Sequence, residues 1–273
     1  MGNDISGVNS GTEITCPYKT LEELQEVLKK EGLKDSNLIV GIDMTGSNIS
    51  TGKQTYKNNL HFFDGEHENP YMRVMDIMAR ALKPFDEDGL IPVFGFGAKK
   101  EGANELFFDL NPEGKMFVGI EKAIEQYKIT IPTLTFSGPT TFVPLIEHAT
   151  QIVQQNDQAF HVLIIITDGQ LSDVDENIVA IEEASNNSLS IVCVGVGDGP
   201  FGVMYNLQKV VRNSKFNNFT FIDFNSFTNK EGDDVDVSFA FAAMRRIPQQ
   251  YIETERLFRR PSAEDQEPEK SDH

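Results

Sequence analysis

Two aspartates in this sequence follow closely on apolar segments. Asp43 comes directly after residues 38–42, and Asp168 comes two residues after the segment at residues 161–166. Unbroken apolar runs are typical of strands that a parallel sheet buries on both faces. Ligands of open parallel sheets bind outside the carboxyl ends of the strands. We therefore expect both carboxylates at one edge of the sheet, and we expect them to converge if the two strands are neighbours.

Hydroxyl side chains accompany these aspartates. Thr45 and Ser47 alternate after Asp43, and Thr140 precedes a segment with a helical apolar stripe. Carboxylate and hydroxyl oxygens are hard ligands, which suit magnesium, calcium or manganese better than zinc or copper. Together with Asp168, these residues could supply direct or water-mediated oxygens to a magnesium ion. A vacant position would remain for an anionic group, because the two aspartates only neutralise the charge of the ion.

The same residue types have a purely structural interpretation. Asp, Thr, Ser and Gly after a strand are common in tight turns and helix caps. For one such loop alone, a cap is the better interpretation. Three such loops at one predicted sheet edge make the ligand interpretation about as good as the capping one, and the residues alone do not decide between them.

The elements that must position these loops alternate along the chain. A capping box at Thr20 and Glu23 opens the first helix. Further helices are predicted over residues 70–82, 117–127, 142–153, 176–184, 205–211 and 239–244, the last one stopped before Pro248, and strands over residues 38–42, 90–96, 161–166, 190–196 and 218–223. Pro92 indicates an edge strand or a bulge. This order predicts an α/β fold with a doubly wound, mostly parallel open sheet and helices on both faces.

The domain organisation follows from the same pattern. We expect one domain over residues 18–251, a flexible arm over residues 1–17 and an acidic, disordered tail over residues 252–273.

His61 lies in a polar segment, where a solvated histidine is the default expectation. Cys193 lies inside an apolar strand and is expected to be a buried core thiol.

Composition excludes several classes of function. The 273 residues carry a formal net charge of −18 without a basic cluster, which argues against nucleic-acid binding. No apolar run approaches the roughly 20 residues that cross a bilayer, and the amino terminus lacks the pattern of a secretory signal. Two cysteines cannot form a disulfide framework or a four-thiolate zinc site. We therefore expect a cytoplasmic protein.

The amino-terminal arm carries one modification pattern. Gly2 after Met1, followed by Ser6, fits N-myristoylation. The pattern is loose, so coincidence is the alternative. A single myristoyl chain binds membranes only marginally, and the arm has no polybasic patch. The sequence thus predicts weak, reversible association with the cytoplasmic face of a membrane.

Taken together, the motifs resemble the metal-ion-dependent adhesion site of a von Willebrand factor A domain. The motifs are Asp43-x-Thr45-x-Ser47, Gly138-Pro139-Thr140-x-Phe142 and Ile166-Thr167-Asp168-Gly169. The copine type of that domain, found in copines and in plant ubiquitin ligases that pair it with a RING finger, is most similar. Further matches lie at residues 85–88, 94–97, 194–200 and 247–251, so the resemblance covers residues 18–251.

This resemblance implies a Rossmann-like binding module rather than an enzyme. Asp43, Thr45, Ser47, Thr140 and Asp168 would hold Mg²⁺ (Mn²⁺ or Ca²⁺ as alternatives), directly or through water. A protein partner would place an Asp or Glu carboxylate on the open position. Neither the lipid-binding domains of copines nor the RING finger of the ligases is expected in this sequence.

An enzyme of the haloacid-dehalogenase type is the alternative. In that scheme Asp43 would attack a phosphoryl group, and residues 196–199 would form a magnesium-binding loop. The second acidic residue expected after Gly199 is missing, since Pro200 follows, and the scheme leaves Asp168 without a role.

Overall fold

The computed structural model describes residues 15–100, 107–169, 171–211, 213–228 and 235–258. Its strands are β1 (Asn37–Asp43), β2 (Leu90–Ile91), β3 (Val93–Phe96), β4 (Ala98–Lys100), β5 (Phe107–Asp109), β6 (Phe117–Val118), β7 (Leu134–Phe136), β8 (His161–Thr167), β9 (Leu189–Gly195) and β10 (Phe219–Asp223). Its α-helices are α1 (Leu21–Lys30), α2 (Pro70–Leu82), α3 (Ile120–Thr130), α4 (Val143–Gln155), α5 (Val174–Ala184), α6 (Gly202–Val210), α7 (Asn225–Thr228), α8 (Val235–Met244) and α9 (Ile247–Phe258).

The main sheet has the strand order β10-β9-β8-β1-β3-β5. The first five strands of this order are parallel, and β5 pairs with β3 in the antiparallel sense. The predicted doubly wound, mostly parallel sheet is confirmed. Strands β1 and β8 are direct neighbours, with Ile42 opposite Ile166. The two predicted ligand loops therefore leave adjacent strands at one edge.

The core lies on both faces of this sheet because side chains alternate along each strand. On one face, side chains such as Val40 and Ile164 pack with α1, α2, α3, α8 and α9. On the other, Ile39 and Leu163 pack with α4, α5 and α6. A Cβ at Gly41 would come within 2.1 Å of the side chain of Leu145, so glycine at this position lets α4 lie close against β1.

Two prolines have different effects from those expected. Pro92 interrupts the predicted strand at residues 90–96, leaving β2 on one side and the central strand β3 on the other, and its carbonyl accepts a hydrogen bond from Val40. Pro248 was expected to follow the last helix, but it lies in the first turn of α9. Proline is tolerated there because that amide has no partner within the helix.

The carboxyl-terminal boundary of the domain also differs from the expected one. Helix α9 continues to Phe258, and Thr254 is buried within it. Residues 252–258 therefore pack as part of the domain rather than as the tail expected from residue 252. Residues 259–273, and the predicted arm up to residue 14 with Gly2, lie outside the described residues. Within the described ranges, no helix is long and apolar enough to cross a bilayer.

Candidate metal centre

Asp43 and Asp168 meet at the carboxyl edge of the sheet. Asp43 is the last residue of β1 and Asp168 follows the last residue of β8, and both side chains are 0% exposed. Thr167, the last residue of β8, donates its hydroxyl to Asp43 Oδ2 at 2.6 Å. Thr51 donates to Asp168 Oδ2 at 3.0 Å. The sequence prediction that these two carboxylates converge agrees with this placement.

The loop after β1 brings two hydroxyls to the same place. Asp43 Oδ1 accepts hydrogen bonds from the backbone amide of Thr45 at 2.9 Å and from its hydroxyl at 2.7 Å. The Thr45 and Ser47 hydroxyl oxygens are 3.1 Å apart. A short 3-10 helix, Gly46–Ile49, carries Ser47. The side-chain oxygens of the Asp-x-Thr-x-Ser motif thus form one continuous group.

The third loop is held against the first by backbone contacts. The amide of Gly46 donates to the carbonyl of Ser137 at 2.7 Å, and Thr45 and Ser137 form an isolated parallel bridge. Thr140 is buried, and its carbonyl accepts a hydrogen bond from Ser172. The hydroxyl of the adjacent Thr141 accepts from the amide of Val143 at the start of α4. Thr140 is therefore the better ligand candidate of the two threonines.

The pKa of Asp43 is shifted in the direction opposite to that of an ion-paired aspartate. Burial raises the pKa of Asp43 above its ordinary value and the negative charge of Asp168 raises it further, while hydrogen bonds from Thr167 and Thr45 act in the opposite direction. No Lys or Arg in the described part of the chain forms an ion pair with Asp43. A divalent cation between the two carboxylates would remove their mutual repulsion.

The donor set fits a hard cation only if hydroxyls take part. Across the described ranges there is no cluster of three or more His, Cys, Asp or Glu side chains that could bind a metal. The centre offers two carboxylates and the hydroxyls of Thr45 and Ser47 instead, and Thr140 is buried in the loop that packs against Gly46. Magnesium retains several waters and uses one or two protein carboxylates, so this set matches its requirements.

His61 corrects one expectation from the sequence. It was expected to be solvated, but it is only 1% exposed. Its Nε2 lies 3.0 Å from the carbonyl oxygen of Asp43, and its Nδ1 lies 2.7 Å from the hydroxyl of Tyr127. Burial lowers the pKa of His61 to about 3, so the ring is neutral. Its apolar neighbour Leu60, which is also buried, was the available signal of a buried segment.

Other contributors were also missed at the sequence level. Asn48 is buried next to Ser47, and its Nδ2 lies 3.3 Å from Asp43 Oδ1. The hydroxyls of Thr51 and Thr167 contact the two carboxylates, as described above. Thr167 could have been found from its position directly before Asp168, whereas nothing near Thr51 in the sequence indicates its role.

Asp198, the key residue of the enzymatic alternative, has a structural role. Its carboxylate accepts hydrogen bonds from the backbone amides of Gln54 at 2.9 Å and Thr55 at 2.8 Å. Burial raises its pKa, but the hydrogen bonds from these amides outweigh that effect and lower it below the ordinary value. The carboxylate therefore caps the loop at residues 54–55 and does not turn towards Asp43. As expected, Cys193 is buried in the core.

Comparisons with known proteins agree on one family. The family model described as Copine matches residues 59–261. The E3 ubiquitin-protein ligase RGLG3 of Arabidopsis thaliana is 39% identical over 259 residues, which are 89% of this chain and 70% of that protein. Copine family protein 2 of Caenorhabditis elegans is 39% identical over 240 residues, which are 86% of this chain but only 3% of that protein.

A solved structure with a similar fold is the manganese-loaded TRAP protein of Plasmodium vivax. It has a TM-score of 0.43 and 14% sequence identity, over 71% of this chain and 70% of that chain.

Proposed function

The chain belongs to the copine family, and we propose that its von Willebrand A domain binds a protein partner through a divalent cation. Asp43, Thr45, Ser47, Thr140 and Asp168 would hold the cation, directly or through water. The proposed cation is Mg²⁺, with Mn²⁺ and Ca²⁺ as alternatives. An Asp or Glu carboxylate of the partner would complete the coordination shell.

The observation that carries this proposal is the pair of buried carboxylates. Asp43, the last residue of β1, and Asp168, directly after the adjacent strand β8, are fully buried, and the charge of Asp168 raises the pKa of Asp43. Burying two like charges is costly unless a counter-charge is present. A cation provides that counter-charge, and the neutral hydroxyls provide oxygens without adding negative charge.

The charge of the whole molecule gives the cation a second role. A surface with a formal net charge of −18 repels an acidic partner at long range. A bound divalent cation is the largest local positive charge in such a site. It would therefore allow a strongly acidic protein to recognise a carboxylate.

The relatives named E3 ubiquitin-protein ligases do not extend the proposal to catalysis. They match this chain over its copine domain. Asp198, which the phosphohydrolase scheme needs as part of a metal loop, caps backbone amides instead. The proposal therefore assigns binding and no catalytic step to this domain.

Partner capture in the presence and absence of metal tests this function. The full chain is immobilised in three forms: wild type, Asp43→Asn and Asp198→Asn. Asp198→Asn is the matched control, because it also removes one carboxylate at the same edge of the sheet. We expect wild type and Asp198→Asn to retain the same proteins in Mg²⁺, and to release them in chelator. The proposal fails if the same proteins are retained in chelator or by Asp43→Asn.

Membrane association through Gly2 is a separate part of the proposal. The arm that carries Gly2 lies outside the described residues, so the support is the sequence pattern alone. One acyl chain gives weak, reversible binding. Gly2→Ala should move the expressed protein from the membrane fraction to the supernatant, and unchanged fractionation would contradict acylation.

A further inference from the structure

A buried polar network lies behind Asp43. We define it as the Asp43 support network, and its members are Asn48, His61, Asn69, Tyr71 and Tyr127. Each member is at most 5% exposed. The proposed function uses none of these side chains as ligands. The network reaches Asp43 by two branches, one at the carboxylate and one at the backbone.

The first branch ends at the carboxylate. The hydroxyl of Tyr71 donates to Asn48 Oδ1 at 2.6 Å. This contact turns the carbonyl of Asn48 towards Tyr71 and its Nδ2 towards Asp43 Oδ1, at 3.3 Å. The same Nδ2 lies 3.2 Å from the carbonyl of Thr45. The amide of Asn48 thus contacts both Asp43 and Thr45, and Tyr71 sets its orientation.

The second branch ends at the backbone. His61 Nε2 lies 3.0 Å from the carbonyl oxygen of Asp43. A carbonyl only accepts hydrogen bonds, so Nε2 must carry the proton and Nδ1 must be the acceptor. Nδ1 accepts from the hydroxyl of Tyr127 at 2.7 Å, and the oxygen of Tyr127 accepts from Asn69 Nδ2 at 3.1 Å. Every donor in this branch has an acceptor.

The two branches touch each other. The rings of His61 and Tyr71 are stacked, with centroids 4.3 Å apart and an interplanar angle of 20°. Tyr71 belongs to α2 and Tyr127 belongs to α3. The network therefore connects the end of β1 to two helices that carry no proposed ligand.

We propose that Tyr71 and His61 are positioning residues for the metal centre. Tyr71 acts through Asn48 to hold the carboxylate of Asp43, and His61 holds the backbone carbonyl of the same residue. The inference rests on the proposed function, because it concerns the affinity of the same centre. Loss of an outer partner of a metal ligand typically weakens metal affinity by about 10–100-fold.

Tyr71→Phe gives the sharpest test, because it removes one oxygen atom and preserves the ring. Calorimetric titration of the full chain with Mg²⁺ should show at least tenfold weaker binding than wild type. Tyr56→Phe is a matched control, since the hydroxyl of Tyr56 donates to Asn225 Oδ1 at the same distance, 2.6 Å. That bond leads to the segment after β10 rather than to Asp43. Both variants should melt at a lower temperature than wild type, but only Tyr71→Phe should bind Mg²⁺ more weakly.

Tyr127→Phe tests the second branch by a readout that does not depend on metal. It removes the hydroxyl that donates to His61 Nδ1 and leaves the ring in place. Long-range proton–nitrogen NMR spectra of the metal-free wild type should show a single Nε2–H tautomer of His61, as its contact with the Asp43 carbonyl requires. The Nδ1 resonance should shift in the variant, because Nδ1 loses its hydrogen-bond donor. This measurement also serves if Tyr71→Phe does not fold.

The outcomes separate this inference from the proposed function. If wild type shows no Mg²⁺ binding, both are overturned. If wild type binds and Tyr71→Phe binds within twofold of it, the positioning role alone is overturned. Equal weakening by Tyr56→Phe, or a proton on Nδ1 instead of Nε2 of His61 in the metal-free wild type, would also overturn it.

Discussion

Asp43 and Asp198 lie at the same edge of one sheet and have opposite surroundings. Asp198 accepts from backbone amides of Gln54 and Thr55, and its pKa is lowered. Asp43 accepts from the hydroxyls of Thr45 and Thr167 as well as from two amides, lies beside Asp168, and its pKa is raised. A backbone amide can only donate, whereas a hydroxyl can rotate and offer a lone pair to a cation. The neighbouring carboxylate, together with these hydroxyls, therefore distinguishes the candidate ligand Asp43 from the cap at Asp198.

The two regions are also connected. The amide of Asp198 donates to the carbonyl of Thr51, and the hydroxyl of Thr51 donates to Asp168 Oδ2. The cap at Asp198 thus holds the segment from which Thr51 reaches the candidate centre. We expect changes at Asp198 to act on the centre only through the position of this segment.

The largest expected effect is on metal affinity. Asp43→Asn keeps the size of the side chain but removes its charge and one acceptor oxygen, so we expect Mg²⁺ binding to fall by more than about 100-fold. Asp198→Asn should change the affinity by less than about threefold and should cost about 1 kcal/mol of stability, the scale of one lost cap. Calorimetry and urea unfolding would measure the two effects.

The contrast between Asp43 and Asp198 would be wrong if Asp43→Asn and Asp198→Asn weakened metal binding equally. Asparagine is preferable to alanine at residue 43 because Thr45 and Thr167 donate to the carboxylate. Alanine would leave these buried donors without an acceptor, at a cost of about 1–3 kcal/mol each.

A smaller effect is expected in the pH dependence of stability. The raised pKa of Asp43 means that its contribution favours folding at low pH and is lost as the pH rises through that pKa. His61 has the opposite sign: its pKa is lowered to about 3, so its contribution is complete above about pH 6.5 and is lost as the pH falls towards 3.

Above about pH 6.5 the contribution of His61 to stability no longer changes with pH, so the remaining pH dependence comes from Asp43. We expect the rise in melting temperature on adding Mg²⁺ to increase between pH 5 and pH 8 in wild type, by about 2–4 °C for each kcal/mol gained. Asp43→Asn should show no such increase. A magnesium effect independent of pH in wild type would contradict the raised pKa.

Much of the architecture could be predicted because it depends on local patterns. The apolar runs at residues 38–42 and 161–166 predicted buried strands, and the position of Asp43 and Asp168 after them predicted that the carboxylates converge if the strands are neighbours. The structure supplied that condition, since β1 pairs with β8. Pro248 was misjudged because the sequence does not distinguish a proline that ends one helix from a proline in the first turn of the next.

The side chains that surround the candidate centre were much harder to predict from the sequence. His61 contacts Tyr127, a residue 66 positions away in the chain, and only the packing of α3 brings the two together. Thr51 and Asp168 are 117 positions apart. Side chains that support a centre from distant segments carry no spacing pattern, so they become visible only when the fold is known.

Asn69 belongs to two parts of the molecule at once. Its Oδ1 accepts from the amide of Met72 and caps α2, while its Nδ2 donates to Tyr127. If α2 slid or rotated at its first turn, it would have to give up one of these bonds of the buried Asn69 side chain. The first turn of α2 is therefore connected through Tyr127 and His61 to the backbone of Asp43, and we expect these segments to move together.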